Sequence, residues 1–328
     1  MNNDNLLEVK DLTVEFRSGL EIVKAVNGVS FYVNREETLA ILGESGSGKT
    51  VSAMAIMKLL SSPPAVIKAG AINFDGTDLL GISKERWRRF SGEKMAMIFQ
   101  DALPALNPVF SVGWQISEVF RVHRRMDKKE ARRRTLDLLK GVGIPEPAQR
   151  AREYPHQYSG GMRQRAMIAM AIALKPDLLI ADEPTTALDV TVQAQIMDLL
   201  EALRKETGMA LILITHDIGV VAETADRVAV MYAGRIVETG SIQDVLMHPV
   251  HPYTKGLLCS VPQTQRRGES LTPIVGSPPN LARIPSGCAF HPRCPEAGDM
   301  CRRVSPELKR FGSLHYAECL RVDDINDT

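Results

Sequence analysis

The stretch that decides the fold is Gly43-Glu44-Ser45-Gly46-Ser47-Gly48-Lys49-Thr50, which matches the pattern G-x-x-x-x-G-K-[ST]. It follows the apolar run Thr38 to Leu42, which is typical of a buried parallel strand, and it precedes a predicted helix from Val51 to Leu60. Glycines let successive backbone N–H groups surround phosphate oxygens, and the helix N-terminus adds the positive end of its dipole. We expect Lys49 to pair with the β- and γ-phosphates and the Thr50 hydroxyl to bind Mg²⁺.

Strand-like and helix-like segments alternate on both sides of this loop. Residues 115–141 and Val192 to Glu206 are predicted helices. The basic face at residues 121–134 is interpreted as a solvated helix surface rather than a site for an anionic partner, because the whole chain is nearly neutral. Strands that alternate with helices indicate an α/β domain with a mainly parallel sheet. Strands are predicted at Leu6 to Phe16, Ile22 to Val33, Met95 to Phe99, Leu178 to Asp182, Ala210 to Thr215 and Arg227 to Tyr232.

Two further groups of polar residues fall where a parallel sheet gathers its ligands. The strand Leu178 to Asp182 runs into Asp182-Glu183, and open parallel sheets bind ligands at the carboxyl ends of their strands. Asp182 is therefore expected in the Mg²⁺ shell, and Glu183 is expected to polarise the attacking water. Ser159-Gly160-Gly161 precedes an apolar helical stretch and predicts an anion-binding helix N-terminus. His216, just past the strand Ala210 to Thr215, is expected to contact a γ-phosphate.

The composition argues against several classes of protein. The chain has 328 residues, with 40 Lys or Arg against 39 Asp or Glu, so its net charge is +1. A neutral chain has no broad positive field to attract nucleic acid or anionic lipid. The apolar runs are well below the roughly 18 residues that a membrane span needs, and the first residues lack the regions of a secretory signal. We therefore expect a globular protein that stays in the cytoplasm.

The composition of the sequence changes after about residue 245, where proline becomes frequent and the hydrophobic periodicity is lost. We expect one domain at 1–245 and a small appended domain with little regular structure at 246–328. Cys259, in an apolar stretch, is expected to be a packed small hydrophobe. In a reducing cytosol, a cysteine cluster is typical of metal binding or redox chemistry before disulfides. The remaining cysteines form such a cluster near the C-terminus: Cys288, Cys294, Cys301 and Cys319.

Taken in their order along the chain, these motifs resemble the nucleotide-binding subunit of ATP-binding cassette (ABC) proteins over about residues 6 to 245. The resemblance implies a P-loop (RecA-like) α/β nucleotide-binding domain with a helical subdomain at about 101–165, and it implies hydrolysis of ATP to ADP and phosphate. The motifs that carry it are the phosphate loop, Gln100, Ser159-Gly160-Gly161-Met162, Leu178 to Glu183, the turn at Asp189 and His216.

The resemblance also implies roles for single residues. Phe16 resembles the aromatic that stacks on adenine, a place more often held by Tyr. Gln100 resembles the glutamine that senses Mg²⁺ and links the site to the membrane partner. Ser159 to Met162 resemble the signature that reaches the γ-phosphate of a second subunit, and Asp189 resembles an aspartate at that same interface. The usual final glutamine of the signature is Met162 here, but the serine and glycines are intact, so we expect a competent site.

The expected site follows from these motifs and from the resemblance. Its catalytic residues are Lys49, Gln100, Glu183 and His216, and its Mg²⁺ ligands are Thr50, Gln100 and Asp182. Its nucleotide-binding residues are Phe16, Gly43, Glu44, Ser45, Gly46, Ser47, Gly48, Lys49, Thr50, Gln100, Ser159, Gly160, Gly161 and Asp189.

Local stretches point to one branch of the family: Gln100-Asp101 with Leu106-Asn107-Pro108, Tyr154 to Ser159, Thr185 to Val190, and His251-Pro252-Tyr253-Thr254. With the cysteine-bearing tail they resemble the ATPase subunits of bacterial dipeptide and oligopeptide importers, a branch that includes nickel and opine importers. The resemblance implies a peripheral motor subunit at the cytoplasmic face of the inner (plasma) membrane. Its implied partners are a second ATPase chain, in a heterodimer rather than a homodimer, two transmembrane permease subunits and an extracytoplasmic binding protein.

The branch leaves nickel or opine import as an alternative to peptide import, and two further alternatives remain open at this point. A soluble ABC-type ATPase acting on nucleic acid is disfavoured, because the chain lacks coiled-coil insertions, a tandem cassette and a strongly basic surface. For the tail, the branch implies an iron–sulfur cluster, [4Fe–4S], on Cys288, Cys294, Cys301 and Cys319. Four thiolates suit such a cluster, whereas zinc modules usually carry a C-x₂₋₄-C knuckle that is absent here. Zinc is therefore the less favoured metal.

Overall fold

The computed structural model describes residues 5–19, 21–186, 188–260 and 274–321. The strands are β1 (Asn5–Ser18), β2 (Glu21–Asn34), β3 (Thr38–Leu42), β4 (Ala65–Phe74), β5 (Thr77–Asp78), β6 (Met95–Ile98), β7 (Leu178–Asp182), β8 (Ala210–Thr215), β9 (Arg227–Tyr232), β10 (Arg235–Ser241), β11 (Lys309–Arg310) and β12 (Tyr316–Ala317). The helices are α1 (Lys49–Ile56), α2 (Lys84–Phe90), α3 (Ala102–Ala105), α4 (Val112–Arg124), α5 (Lys128–Gly141), α6 (Pro147–Arg150), α7 (Gly160–Ile172), α8 (Val190–Thr207), α9 (Ile218–Thr224), α10 (Ile242–Met247) and α11 (Pro252–Cys259). No helix in these described ranges is both long and apolar enough to cross a membrane.

The chain divides into two compact units, the first made of Met1–Leu80 and Leu213–Thr328. In this unit β1 pairs antiparallel with both β2 and β4, so that Phe16 lies opposite Val23 on one side and Ala65 on the other. A second group of strands has the order β11-β12-β10-β9-β3, in which β3 runs parallel to β9. All five residues of β3 are buried, as the apolar run in the sequence predicts.

The C-terminal segment shares the hydrophobic core of this first unit. Tyr253 of α11 and Phe290 pack with Tyr232 of β9, with ring centroids 4.5 to 5.4 Å apart. The same cluster includes Leu42 of β3 and Leu258 of α11. Burial of one such aromatic ring contributes roughly 1.5–3 kcal/mol to stability. Residues beyond 245 therefore pack into the same core as β3 and β9. The predicted domain limits at 245 and at about 101–165 stay predictions.

The second compact unit spans Gly81–Ile212. In it β6 and β7 are parallel, with Met95 opposite Leu178 and Ile98 opposite Ala181. Helices α4 and α5 pack against each other, and the hydroxyls of Ser117 and Thr135 share a hydrogen bond of 2.8 Å between them. Helices α3 to α6 of this unit lie within residues 101–165, where the helical subdomain is predicted.

The structure differs from the sequence-based predictions at two helices and at strands that were not predicted. The predicted helix at 115–141 is two helices, because Arg125 is left-handed (φ 51°) and Asp127 caps α5 by accepting from the N–H groups of Lys129 and Glu130. The basic periodicity continued through this break and concealed it. The predicted helix from Val51 to Leu60 instead begins at Lys49 and ends at Ile56. Strands β4 and β10 were not predicted at all.

Candidate functional site

The phosphate loop connects β3 to α1 and depends on glycine at two positions. Gly43 has φ 153° and Gly48 has φ 105°. A Cβ atom on Gly43 would collide with the carbonyl oxygen of Met231, and one on Gly48 would collide with that of Ala25. The loop backbone therefore passes too close to neighbouring strands for any other residue, which explains the glycines that the motif requires.

Lys49 and Ser47 lie inside this loop. The Lys49 side chain is 5 % exposed, and its Nζ donates to the carbonyl oxygens of Gly43 at 2.7 Å and Glu44 at 2.9 Å. The Ser47 Oγ is buried and has no hydrogen-bond partner within the described part of the chain. A buried hydroxyl without a partner is costly. A phosphate oxygen could accept a hydrogen bond from this hydroxyl, and another could accept one from the Lys49 ammonium. Thr50, the second residue of α1, is exposed.

Glu44, in the same loop, is held by two residues of the C-terminal segment. Its backbone N–H donates to the Tyr253 Oη at 2.9 Å. Its carboxylate forms a bidentate ion pair with Arg293, at 2.6 Å from Nη1 and 2.9 Å from Nη2. This ion pair raises the pKa of the Arg293 guanidinium above its ordinary value. In the sequence, His251 to Thr254 indicates only the branch, and no local signal distinguishes Arg293, which was not predicted.

In the second unit, the end of β7 presents the two predicted carboxylates. Asp182 is the last residue of the strand and is 2 % exposed. Glu183 follows with a left-handed backbone (φ 45°), an uncommon conformation for a residue with a side chain. Its Oε2 accepts hydrogen bonds from the Gln100 Nε2 at 3.0 Å and from the Thr186 Oγ1 at 2.9 Å. The structure thus brings Gln100 and Glu183 together, and it adds Thr186, which sequence analysis missed.

The Ser159-Gly160-Gly161 segment begins α7, as predicted. The Ser159 Oγ accepts from the Met162 N–H at 3.3 Å and caps the helix. A Cβ on Gly161 would lie 2.9 Å from Val192 Cγ1, so the start of α7 packs closely on the start of α8. Asp189 caps α8 by accepting from the Val192 N–H at 3.0 Å. The two predicted interface residues, Ser159 and Asp189, are therefore neighbouring helix caps.

Two further predicted site residues, Phe16 and His216, lie in the first unit. His216 is exposed and directly follows β8. Phe16 is half-buried in β1. Stacking of Phe16 on adenine and contact of His216 with a γ-phosphate stay predictions.

The structure describes all four cysteines of the predicted metal site. Cys301 and Cys319 are buried, Cys288 and Cys294 are half-buried, and none of the four is in a disulfide. Burial, with a smaller contribution from the nearby Cys288 and Cys319 thiols, raises the pKa of the Cys294 thiol to about 11. Within the described ranges, no group of three or more His, Cys, Asp or Glu side chains is arranged to hold a metal ion.

Cys259 contradicts its prediction. It ends α11 and is exposed, whereas the preceding Leu258 takes the buried position in the core. The apolar stretch does reach the core, but through Leu258 rather than Cys259, and the helix that holds both residues was not predicted.

Comparison with known protein families identifies two regions. The model described as ABC transporter matches residues 26–186. The model described as oligopeptide/dipeptide transporter, C-terminal region, matches residues 237–301. The second match covers Tyr253, Arg293 and three of the four clustered cysteines.

Relatives of the chain match over nearly its full length. The oligopeptide transport ATP-binding protein OppD of Bacillus subtilis is 50 % identical over 95 % of this chain and 88 % of its own. The dipeptide transport ATP-binding protein DppD of the same species is 49 % identical over 98 % and 96 %. A putative peptide import ATP-binding protein of Brucella ovis is 48 % identical over 99 % of both chains.

Solved structures match the cassette part. An ATP-binding cassette dimer in a post-hydrolysis state, bound to ADP and Pi, superposes with a TM-score of 0.65 at 28 % identity, covering 72 % of this chain and 98 % of that one. The cbiO1 protein of Clostridium perfringens, part of the cbiONQ transporter, gives a TM-score of 0.63 at 30 % identity, covering 75 % and 92 %. The fold is therefore that of an ATP-binding cassette.

Proposed function

We infer that this chain, which belongs to the ABC transporter family and to its oligopeptide and dipeptide branch, is the ATP-hydrolysing motor subunit of a bacterial peptide importer. The observation that carries the inference is the near-full-length similarity to peptide transport ATP-binding proteins, which includes the tail as well as the cassette. The reaction is hydrolysis of ATP to ADP and phosphate, coupled to movement of cargo through partner subunits.

In the first unit, we propose that the phosphate loop binds the nucleotide. Lys49 would leave its contacts with the loop carbonyls to pair with the β- and γ-phosphates, and Ser47 would donate to a phosphate oxygen. Two observations support this: the Lys49 ammonium is buried against the loop carbonyls, and the buried Ser47 hydroxyl of the same loop lacks a partner in the described structure. The Thr50 hydroxyl would bind Mg²⁺, for which an oxygen ligand at the start of this helix is well suited. Phe16 and His216 keep their proposed roles at the adenine and the γ-phosphate.

In the second unit, we propose that Glu183 is the general base that takes the proton of the attacking water. Gln100 and Thr186 both donate to the same Glu183 oxygen and so fix the direction of the carboxylate. Asp182 would contribute a carboxylate oxygen to Mg²⁺, whose bound charge neutralises the phosphates and stabilises negative charge that develops during hydrolysis. Gln100 is proposed to sense that ion.

We propose that Ser159 to Met162 act on the nucleotide of a second ATPase chain. Ser159 caps α7, a helix of 13 residues, so the N-terminus offers backbone N–H groups to an anion. A heterodimer with a different ATPase chain is favoured over a homodimer by resemblance to the branch. The other proposed partners are two permease subunits and an extracytoplasmic binding protein. In that assembly the chain would be peripheral, at the cytoplasmic face of the inner membrane.

An uptake experiment tests the function and assigns the cargo. A strain lacking this gene would be given labelled di-, tri- and pentapeptides, an opine and nickel, with the wild-type gene or Glu183→Gln restored. Loss of peptide uptake that only the wild type restores supports the proposal and gives the size class. Selective loss of nickel or opine uptake would replace the peptide assignment. Wild-type uptake of all these cargoes in the deletion strain would contradict an import role.

The membrane-independent alternative has its own test. The proposed importer subunit should sediment with membranes and be released when the permease genes are deleted. Equal recovery in the soluble fraction of both strains, with ATPase activity stimulated by nucleic acid, would favour the soluble ABC-type ATPase.

We propose that Cys288, Cys294, Cys301 and Cys319 hold a [4Fe–4S] cluster, with zinc as the alternative. Support comes from the donor chemistry: four thiols fall in one segment, and the Cys288 N–H donates to the Cys301 carbonyl at 2.8 Å. The side chains as described are not arranged around a metal, so binding would require them to converge. A bound metal would cross-link a tail with little regular structure. Anaerobic purification followed by iron, sulfide and zinc analysis separates the two metals, and a metal-free protein contradicts both.

A further inference from the structure

We propose that Arg293, in the C-terminal segment, is a positioning residue for nucleotide binding and acts through Glu44 of the phosphate loop. The inference rests on the proposed function only in taking the loop to be the ATP site. It gives the C-terminal segment a direct part in ATP affinity.

Arg293 is firmly held in place. Its side chain is 5 % exposed, and both terminal nitrogens bond the Glu44 carboxylate. Its Nε donates to the Val275 carbonyl at 3.1 Å. The guanidinium carbon lies 5.8 Å from the ring centroid of Tyr232 and 6.0 Å from that of Phe290. A guanidinium whose Nε, Nη1 and Nη2 all donate hydrogen bonds has little freedom, so it fixes the carboxylate that it binds.

Glu44 makes such a partner necessary. Its carboxylate lies in a loop that binds polyphosphate, and two like charges at short range repel each other. Arg293 neutralises this charge and turns it toward the C-terminal segment. The paired carboxylate is therefore compatible with a polyanionic ligand, whereas an unpaired one would oppose it.

Glu44 also connects Arg293 to the phosphate-binding ammonium. The Glu44 carbonyl accepts from the Lys49 Nζ at 2.9 Å, and the Glu44 N–H donates to the Tyr253 Oη at 2.9 Å. The position of the Glu44 backbone thus sets one of the contacts of Lys49. Arg293 fixes the side chain of Glu44 while Tyr253 fixes its backbone, so the C-terminal segment determines the shape of the loop at this residue.

A matched control pair exists in the same unit. Arg235 of β10 and Glu318 of the C-terminal segment form a bidentate ion pair of similar geometry, at 2.9 and 2.7 Å. This pair also ties the C-terminal segment to a cassette strand, but its hydrogen bonds do not involve the phosphate loop. Arg235→Ala therefore removes an equivalent structural link and leaves the loop contacts in place.

The test is the Kd for Mg-ATP of the full-length chain, measured by calorimetry together with the melting temperature. We expect Arg293→Ala to weaken ATP binding roughly tenfold, which corresponds to about 1.4 kcal/mol. Arg235→Ala should bind ATP as the wild type does, even if its melting temperature falls. The double variant Glu44→Gln/Arg293→Ala should recover most of the affinity, because it removes the unpaired charge.

Each outcome decides the inference. Wild-type affinity in Arg293→Ala, an equal loss in Arg235→Ala, or failure of Glu44→Gln to restore binding would overturn it. A folded wild-type chain that binds no ATP would instead contradict the proposed function. Arg293→Lys, which keeps the charge but not the bidentate contact, should lie between the wild type and Arg293→Ala, and affinity at or below that of Arg293→Ala would contradict the role of charge.

Discussion

The end of β3 and the end of β7 form their sites in different ways, although both lie at the carboxyl end of a buried strand. At β3 the site is made of backbone: glycines with positive φ wind the chain around the Lys49 ammonium. At β7 the site is made of side chains: Gln100 and Thr186 hold the carboxylate of Glu183. Under the proposed function, this difference assigns phosphate binding to the first region and orientation of a base to the second. Substitutions should therefore separate affinity from turnover.

The largest expected effect is that of Lys49→Ala. Removing the ammonium leaves the phosphates without their main cation, so both ATP binding and hydrolysis should be lost, with turnover reduced by roughly 10³-fold or more. Nucleotide affinity and phosphate release by the purified complex measure the two effects. Lys10→Ala, which removes an exposed lysine of β1 paired with Glu8, is the control. Normal affinity in Lys49→Ala would break the comparison.

Glu183→Gln should affect the second region alone. The amide keeps the size of the side chain but cannot accept a proton, so turnover should fall by roughly 10²–10⁴-fold while the Kd for Mg-ATP stays near that of wild type. Glu130→Gln, which removes a half-buried carboxylate of α5 paired with Arg133 and Arg134, serves as the matched charge control. An affinity loss as large as that of Lys49→Ala would show that the two regions do not divide the work as described.

His251, which packs against Phe290 of the aromatic cluster, predicts a pH dependence of stability. Burial lowers the pKa of His251 from 6.5 to about 4 in the folded chain. Between these values the unfolded chain binds a proton that the folded chain does not, so stability falls as pH decreases from about 6.5 to about 4, by up to about 3 kcal/mol. Chemical unfolding across this pH range measures the slope.

His251→Asn sharpens this test. Asparagine can still cap α11, where the His251 Nδ1 now accepts from the Tyr253 N–H at 3.0 Å, but it does not titrate. The slope should become shallower in this variant. Exposed His248 provides the control, and an equal change of slope in His248→Asn would contradict the assignment.

Thr186→Val should give the smallest effect. Glu183 would keep its hydrogen bond from Gln100 and lose the one from Thr186, which permits a less productive carboxylate direction. We expect turnover to fall about tenfold, or about 1.4 kcal/mol, with ATP affinity unchanged. Thr207→Val removes a comparable hydroxyl at the end of α8, where Thr207 donates to the Leu203 carbonyl, and should leave turnover unchanged.

The sequence predicted what short motifs determine by themselves. Gly43 and Gly48 were identified from the motif, which requires glycine because no other residue fits the backbone there. Asp182-Glu183 were identified because an apolar strand leads directly to them. The ion pair between Glu44 and Arg293 joins residues 249 positions apart, and the proline-rich tail has no periodicity from which to infer it. The break at Arg125 was missed because the basic pattern runs through it, although Asp127 is a typical helix cap.

The most direct test of the account is peptide accumulation in proteoliposomes that contain the whole importer, with Mg-ATP supplied to the motor side. The wild-type assembly should concentrate labelled peptide against its gradient while it releases phosphate. The assembly with Glu183→Gln should bind Mg-ATP but accumulate no peptide. Accumulation at the wild-type rate by the Glu183→Gln assembly would contradict the claim that hydrolysis at this carboxylate drives import.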